Sequence, residues 1–174
     1  MTLPRALVLA AGLLLAGLGA PATLLAGSHA SAPPPQDPRA IVVEQAIQQD
    51  FAVVRDTLRQ QLQDDGWNLI AEIDLGKRLA KKGVDIPGGL VIFKLTSGKK
   101  AKPLLAKDET RYVSAMMPCG VSVYGMSDGS VVISRMHFEL MAPMMEPEVA
   151  TVMQKSIMQI DSSIASAVAK LSAE

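Results

Sequence analysis

The sequence predicts an α+β fold: an antiparallel sheet with helices packed on one face and the opposite face open. Three observations carry this. Two stretches have helical apolar spacing, one near the start of the domain and one at its end. Between them lie short runs rich in β-branched residues, such as Leu90 to Leu95. Finally, Asp128-Gly129 separates two alternating segments, a hairpin signal because a two-residue type I′ turn needs positive φ at both central positions.

In chain order, Ala40 to Val43 reads as a first strand. Ile47, Phe51, Val54, Leu58 and Leu62 then recur at helical spacing, and Asp64-Asp65-Gly66 ends that helix because glycine accepts the left-handed conformation. Trp67 to Asp74 alternates, with Trp67, Leu69, Ala71 and Ile73 on one face. Leu75 to Lys82 reads as a short helix, Pro87-Gly88-Gly89 as a break and Leu90 to Leu95 as a strand. The Lys-rich stretch from Ser97 to Lys107 reads as another short helix, its lysines solvated. Gly120 to Met126 and Ser130 to Phe138 form the hairpin. Pro147 opens a long helix to Leu171 with a seam of Met153, Ile157, Ile160, Ile164, Ala167 and Leu171.

Ahead of the domain, Arg5 followed by the apolar run Ala6 to Ala20 has the form of a secretory leader. Cleavage is expected after Ala30, since cutting after Ala32 would place Pro33 just past the scissile bond. A cut after Ala22 or an uncleaved anchor are the alternatives. The expected organisation is a leader over 1–30, a Pro-rich linker over 31–38 and one domain over 39–174, exported to the periplasm or the medium without stable membrane insertion. Removing Arg5 from 17 basic and 17 acidic residues leaves 16 and 17, a net charge of −1. With no basic stripe and only 3% aromatic residues, nucleic acid is excluded as a partner. A single cysteine rules out an internal disulfide, so a hydrophobic core must hold the fold.

Gly66-Trp67, Glu72-Ile73-Asp74-Leu75, Lys82-Gly83, Met117-Pro118-Cys119 with a valine-rich strand, and Asp128-Gly129 with a second valine strand together resemble the domain-of-unknown-function 302 family, over roughly Val42 to Ala169. The resemblance implies a small domain with a TATA-binding-protein-like arrangement, often dimeric and without an established catalytic activity. Where many members carry a Cys-Asn-Pro-like segment after the third strand, this chain has Leu95-Thr96-Ser97. No role of that segment is carried over.

Nine of the ten methionines, together with Cys119 and His137, fall between Met116 and Met158. A two-residue turn at Asp128-Gly129 would place Met126 opposite Val131, Tyr124 opposite Ile133, Ser122 opposite Arg135 and Gly120 opposite His137. One face then carries Tyr124, Met126, Val131, Ile133, Arg135 and His137, the candidate ligand surface being Tyr124, Met126, Arg135 and His137. The other carries Cys119, Val121, Val123, Val132, Met136 and Phe138 and reads as core. Cys119 and His137 would lie on opposite sides, so no Cys–His dyad is expected and Cys119 reads as a structural thiol.

His137, Met141, Met144 and Met145 form the candidate metal set, because imidazole and thioether suit copper(I) and His–Met ligation suits haem. Packing of these methionines as adaptable gap-fillers is the competing explanation. Glu72 and Asp74 read as a solvated edge rather than an acid–base pair. The favoured function is non-catalytic binding of a ligand or partner by an exported, homodimeric domain. A copper(I) or non-covalent haem protein is the alternative, and a thiol enzyme acting through Cys119 ranks last.

Overall fold

The computed structural model describes residues 37–173. The expected leader and linker residues 31–36 lie outside them. Asp37 and Pro38, assigned above to the linker, belong to a 3-10 turn over Pro38–Ile41, where the Asp37 carboxylate accepts a hydrogen bond from the Arg39 amide at 2.8 Å.

The described residues contain five strands and four α-helices: β1 (Val42–Ile47), α1 (Phe51–Asp64), β2 (Asn68–Asp74), α2 (Leu75–Ala80), β3 (Leu90–Thr96), α3 (Gly98–Leu105), β4 (Cys119–Gly125), β5 (Val131–Met136) and α4 (Pro147–Leu171). The strands form one antiparallel, open sheet in the order β1-β5-β4-β3-β2. The expected α+β class is the observed one. Ile47, expected to begin the first helix, is instead the last residue of β1. At the other end of α1, the Trp67 amide donates to the Leu62 carbonyl at 3.0 Å and Gly66, at φ 79°, donates to Gln63 at 2.9 Å. Two carbonyls of the last turn are satisfied in this way, and the chain is turned into β2.

Core packing lies between one sheet face and the two long helices. Val54, Leu58 and Leu62 of α1, together with Val149, Met153, Ile157, Ile160 and Ile164 of α4, close over Val91, Phe93 and Leu95, Val121 and Val123, and Val131 and Ile133. The helical seams and the alternation of β4 were legible in the sequence because each repeats over several turns or pleats.

Two strand phases differ from expectation. A register shift between Leu69 and Ala71 in β2 leaves Ile70 as a bulge, half exposed. One extra residue reverses the facing of every position beyond it. Ala71 and Ile73, paired with Lys94 and Ile92, turn to the outer face, and Glu72, paired with Phe93, turns toward the helices. There its two carboxylate oxygens accept from Arg59 of α1 at 2.6 and 2.7 Å. Asp74 accepts from the Lys77 amide at 2.7 Å as the cap of α2. Both acids therefore hold the fold together.

The second difference is in the hairpin. Its register pairs Gly125 with Val131, Val123 with Ile133 and Val121 with Arg135. The Met126 amide donates to the Ser130 carbonyl at 2.8 Å, and the Gly129 amide to Met126 at 3.1 Å. The loop thus holds three residues, Ser127-Asp128-Gly129, with Gly129 at φ 85°. This is a turn closed by one left-handed residue, where any other side chain costs about 1–2 kcal/mol. Asp128 fixes its exit by accepting from both the Ser130 amide and hydroxyl at 2.9 and 2.6 Å. The odd loop length moves β5 by one residue relative to expectation. Val131, Ile133 and Arg135 face the helices, and Val132, Ser134 and Met136 face outward. Met136, expected in the core, is 58% exposed.

Candidate functional site

The two central strands separate at one end. β4 pairs with β5 only as far as Val121 and Arg135, yet β3 goes on pairing with β4 to Cys119, and β1 goes on pairing with β5 to Met136. Beyond Val121 and Arg135 each central strand keeps only its outer neighbour, and the sheet forks. A cavity of about 700 Å³ occupies the fork. Its outer part is lined by Ile92, Lys94, Gly120, Ser122, Ser134 and Met136 of the outer face, and its inner part by Met153, Ile157 and Ile160 of α4. Met116, Met117 and Pro118 enter from the segment before β4, joined by a cis Met117-Pro118 bond, and His137, Phe138, Leu140 and Met141 from the turn after β5. The volume lies in the range of pockets that hold small organic molecules, roughly 300–1,000 Å³.

The residues singled out from the sequence divide. His137 and Met141 line the cavity. Tyr124 does lie on the outer face, but its hydroxyl is bonded to Glu44 of β1 and it does not line the cavity. Burial, followed by the Glu44 hydrogen bond, pushes the phenol up to about 12. Met126 stands at the hairpin loop, away from the fork. Met144 is 80% exposed and Met145 packs at the edge of the core, so neither joins His137 in the cavity.

Arg135 lines the cavity from the helix side, not from the expected open face, and is almost wholly buried. Its guanidinium makes a two-pronged pair with Asp161 of α4, one arm at 2.7 Å, and donates to the Met136 carbonyl at 2.9 Å, with Glu139 at 3.5 Å. A buried guanidinium is tolerable only with such partners. They leave it little capacity to meet a ligand's anionic group.

The one-residue change of register also revises the Cys119–His137 relation. Extending the ladder past Val121 and Arg135 sets Cys119 opposite His137, and opposed residues share a face. Both line the same cavity. The Nδ1 of His137 lies 2.8 Å from the Ala40 carbonyl. A carbonyl only accepts, so Nδ1 carries a proton and the neutral ring keeps its lone pair on Nε2, which stands 3.6 Å from Glu139. Five methionines line the fork: Met116, Met117, Met136, Met141 and Met153. Four of them were missed as site residues because they come from separate segments and only the tertiary fold gathers them. Their sole sequence signal was the methionine density itself. Among the described residues, no three His, Cys, Asp or Glu side chains cluster as a metal site.

An open antiparallel sheet with two long helices on one face and a cavity at a strand fork defines a small α+β domain. The chain belongs to the family "Domain of unknown function DUF302", whose pattern matches residues 43–170. It is similar to the crystal structure of an uncharacterized conserved DUF302 protein from Bacillus stearothermophilus, at 17% identity and a TM-score of 0.63, over 72% of this chain and 96% of that one. At that identity the likeness concerns the fold alone. No curated protein matches the chain.

Cys119 also borders Lys100, one of the lysines expected to be solvated. Lys100 is instead partly buried, its ammonium 4.6 Å from the centre of the Trp67 ring and bonded to Gln159 of α4. Burial lowers its pKa. Burial also pushes the Cys119 thiol up, more than the Lys100 charge draws it down. The thiol is therefore protonated at neutral pH, and since the thiolate is the nucleophile, it is unreactive there. Iodoacetamide should label the native protein much more slowly than the urea-unfolded chain at pH 8, with the native rate climbing only well above the ordinary thiol range. Equal rates at pH 8 would show an exposed, activated cysteine.

Proposed function

We propose that this domain is an exported, non-catalytic binding module that holds an apolar small molecule in the cavity at the β4–β5 fork. The observation that carries the proposal is the cavity's size and lining: thioether and branched aliphatic side chains around a space of about 700 Å³. Methionine suits such a role because its unbranched, polarizable side chain adapts to varied shapes. Nile red, an apolar fluorophore, should bind the wild-type protein with a blue-shifted rise in emission. Met136→Trp, a change at an exposed outer position, should narrow the opening and reduce that signal several-fold while leaving the thermal midpoint within a few degrees. Absence of any Nile red signal with the wild type would sink the proposal.

A second reading, a copper(I) or non-covalent haem carrier, is favoured by one specific arrangement. His137 has its Nδ1 on the Ala40 carbonyl, and its ring shares the cavity with Met141, Met116, Met117 and Met153. On this reading anaerobic copper(I) titration, or haem reconstitution followed by its Soret band, gives about one equivalent bound per chain. His137→Ala then weakens it at least tenfold, and unchanged binding in that variant removes the reading.

Export rests on the leader-like residues 1–30. A homodimer is supported by the exposed apolar side chains of Ile41, Met136 and Leu140 at the cavity rim. The expected results are a mature N-terminus after Ala30 and a dimeric mass by sedimentation equilibrium at tens of micromolar. An intact N-terminus, or a monomeric mass, would remove the corresponding part.

A further inference from the structure

Among the described residues, the cavity has one cation that the protein itself does not neutralise. Arg135 is engaged by Asp161 and Glu139. Lys94, on the outer face of β3, forms no ion pair among the described residues. It is paired with Gly120, and a Cβ added at Gly120 would come within 3.4 Å of the Lys94 Nζ. The ammonium therefore extends across the bare backbone of β4 toward the fork. In the neighbouring row of the outer face, Ser122 and Ser134 set two hydroxyls against the same cavity. On the helix side, beside the Arg135 that Asp161 neutralises, Met153, Ile157 and Ile160 of α4 line the cavity.

The Lys94 ammonium, without an ion pair among the described residues, thus stands where the cavity meets the outer face, and thioether and branched aliphatic side chains line the cavity beneath α4. An unpaired ammonium beside a low-dielectric chamber attracts an anion, and the chamber beyond it favours hydrocarbon. Resting on the binding role proposed above, we infer that the ligand is a monomeric anionic amphiphile, a single-chain carboxylate of the fatty-acid type. Its head group meets Lys94 with Ser122 and Ser134, and its tail passes through the fork to lie under α4. The carboxylate accepts from the ammonium as a charge-assisted hydrogen bond, the stronger kind.

The test compares two probes of equal tail length, dodecanoate and dodecanol, titrated calorimetrically below their aggregation limits. Wild-type protein binds dodecanoate at least tenfold more tightly than dodecanol. Lys94→Gln lowers dodecanoate affinity about tenfold and leaves dodecanol affinity within twofold, and Lys94→Arg restores most of the preference. Lys94 is partly exposed on the outer face, so these variants fold, and an unchanged thermal midpoint checks it. Equal wild-type affinity for the two probes, or no effect of Lys94→Gln, would overturn the anionic head group while leaving the apolar cavity standing. Binding of neither probe, together with no Nile red signal, would instead defeat the binding role itself. Co-sedimentation with phosphatidylglycerol vesicles that dodecanoate does not compete away would assign Lys94 to a membrane surface and overturn the inference.

Discussion

The length of one turn governs how the central hairpin is assembled. Three residues rather than two separate Met126 from Ser130, and side chains in a strand alternate, so this single residue decides which half of β5 lies beneath the helices. With the turn as it is, Val131 and Ile133 complete the core. Arg135 comes under α4, where it must find an anion, and Asp161 supplies it. The pair ties the last helix to the sheet next to the point where β4 and β5 part. Replacing such a buried pair by apolar groups is often tolerated, whereas removing one member strands the other charge. The fork is therefore fastened to α4 by an ion pair as well as by that helix's hydrophobic seam.

The same turn explains which elements the sequence reveals and which it hides. The two long helices were legible because their apolar positions repeat over many residues. β4 was legible because Val121 and Val123 alternate with polar or small neighbours. β5 was not, since Val131-Val132-Ile133 is apolar at consecutive positions and has no phase of its own. Its facing was borrowed from the turn, and Asp-Gly serves both the two-residue turn and the three-residue turn closed by a left-handed glycine. Leu69-Ile70-Ala71 fails for a related reason, because a bulge within an apolar run leaves no break in the pattern.

The candidate site was legible only as a density of methionine. His137 and Met141 lie close in sequence and were found together. Met116, Met117 and Met153 reach the same cavity from a 3-10 segment and a distant helix, and the missing information was tertiary. Lys94 was hidden as well. Its position in a hydrophobic strand looks like an ordinary outward lysine until Gly120 opposite leaves room for its ammonium to lie flat. Membership of the DUF302 family describes the scaffold; the chemistry resides in what lines the fork.

The bulge in β2 bears on solubility. β1 and β2 are the two outermost strands, and an edge strand presents unpaired amides and carbonyls on which another chain can build. On β2 the bulge at Ile70 interrupts that row, and the Arg59–Glu72 bridge stands close to it. Among the described residues, β1 has no bulge in its pairing with β5 and follows directly on the 3-10 turn. Among the described residues, the β2 edge of the sheet is thus interrupted and the β1 edge is continuous.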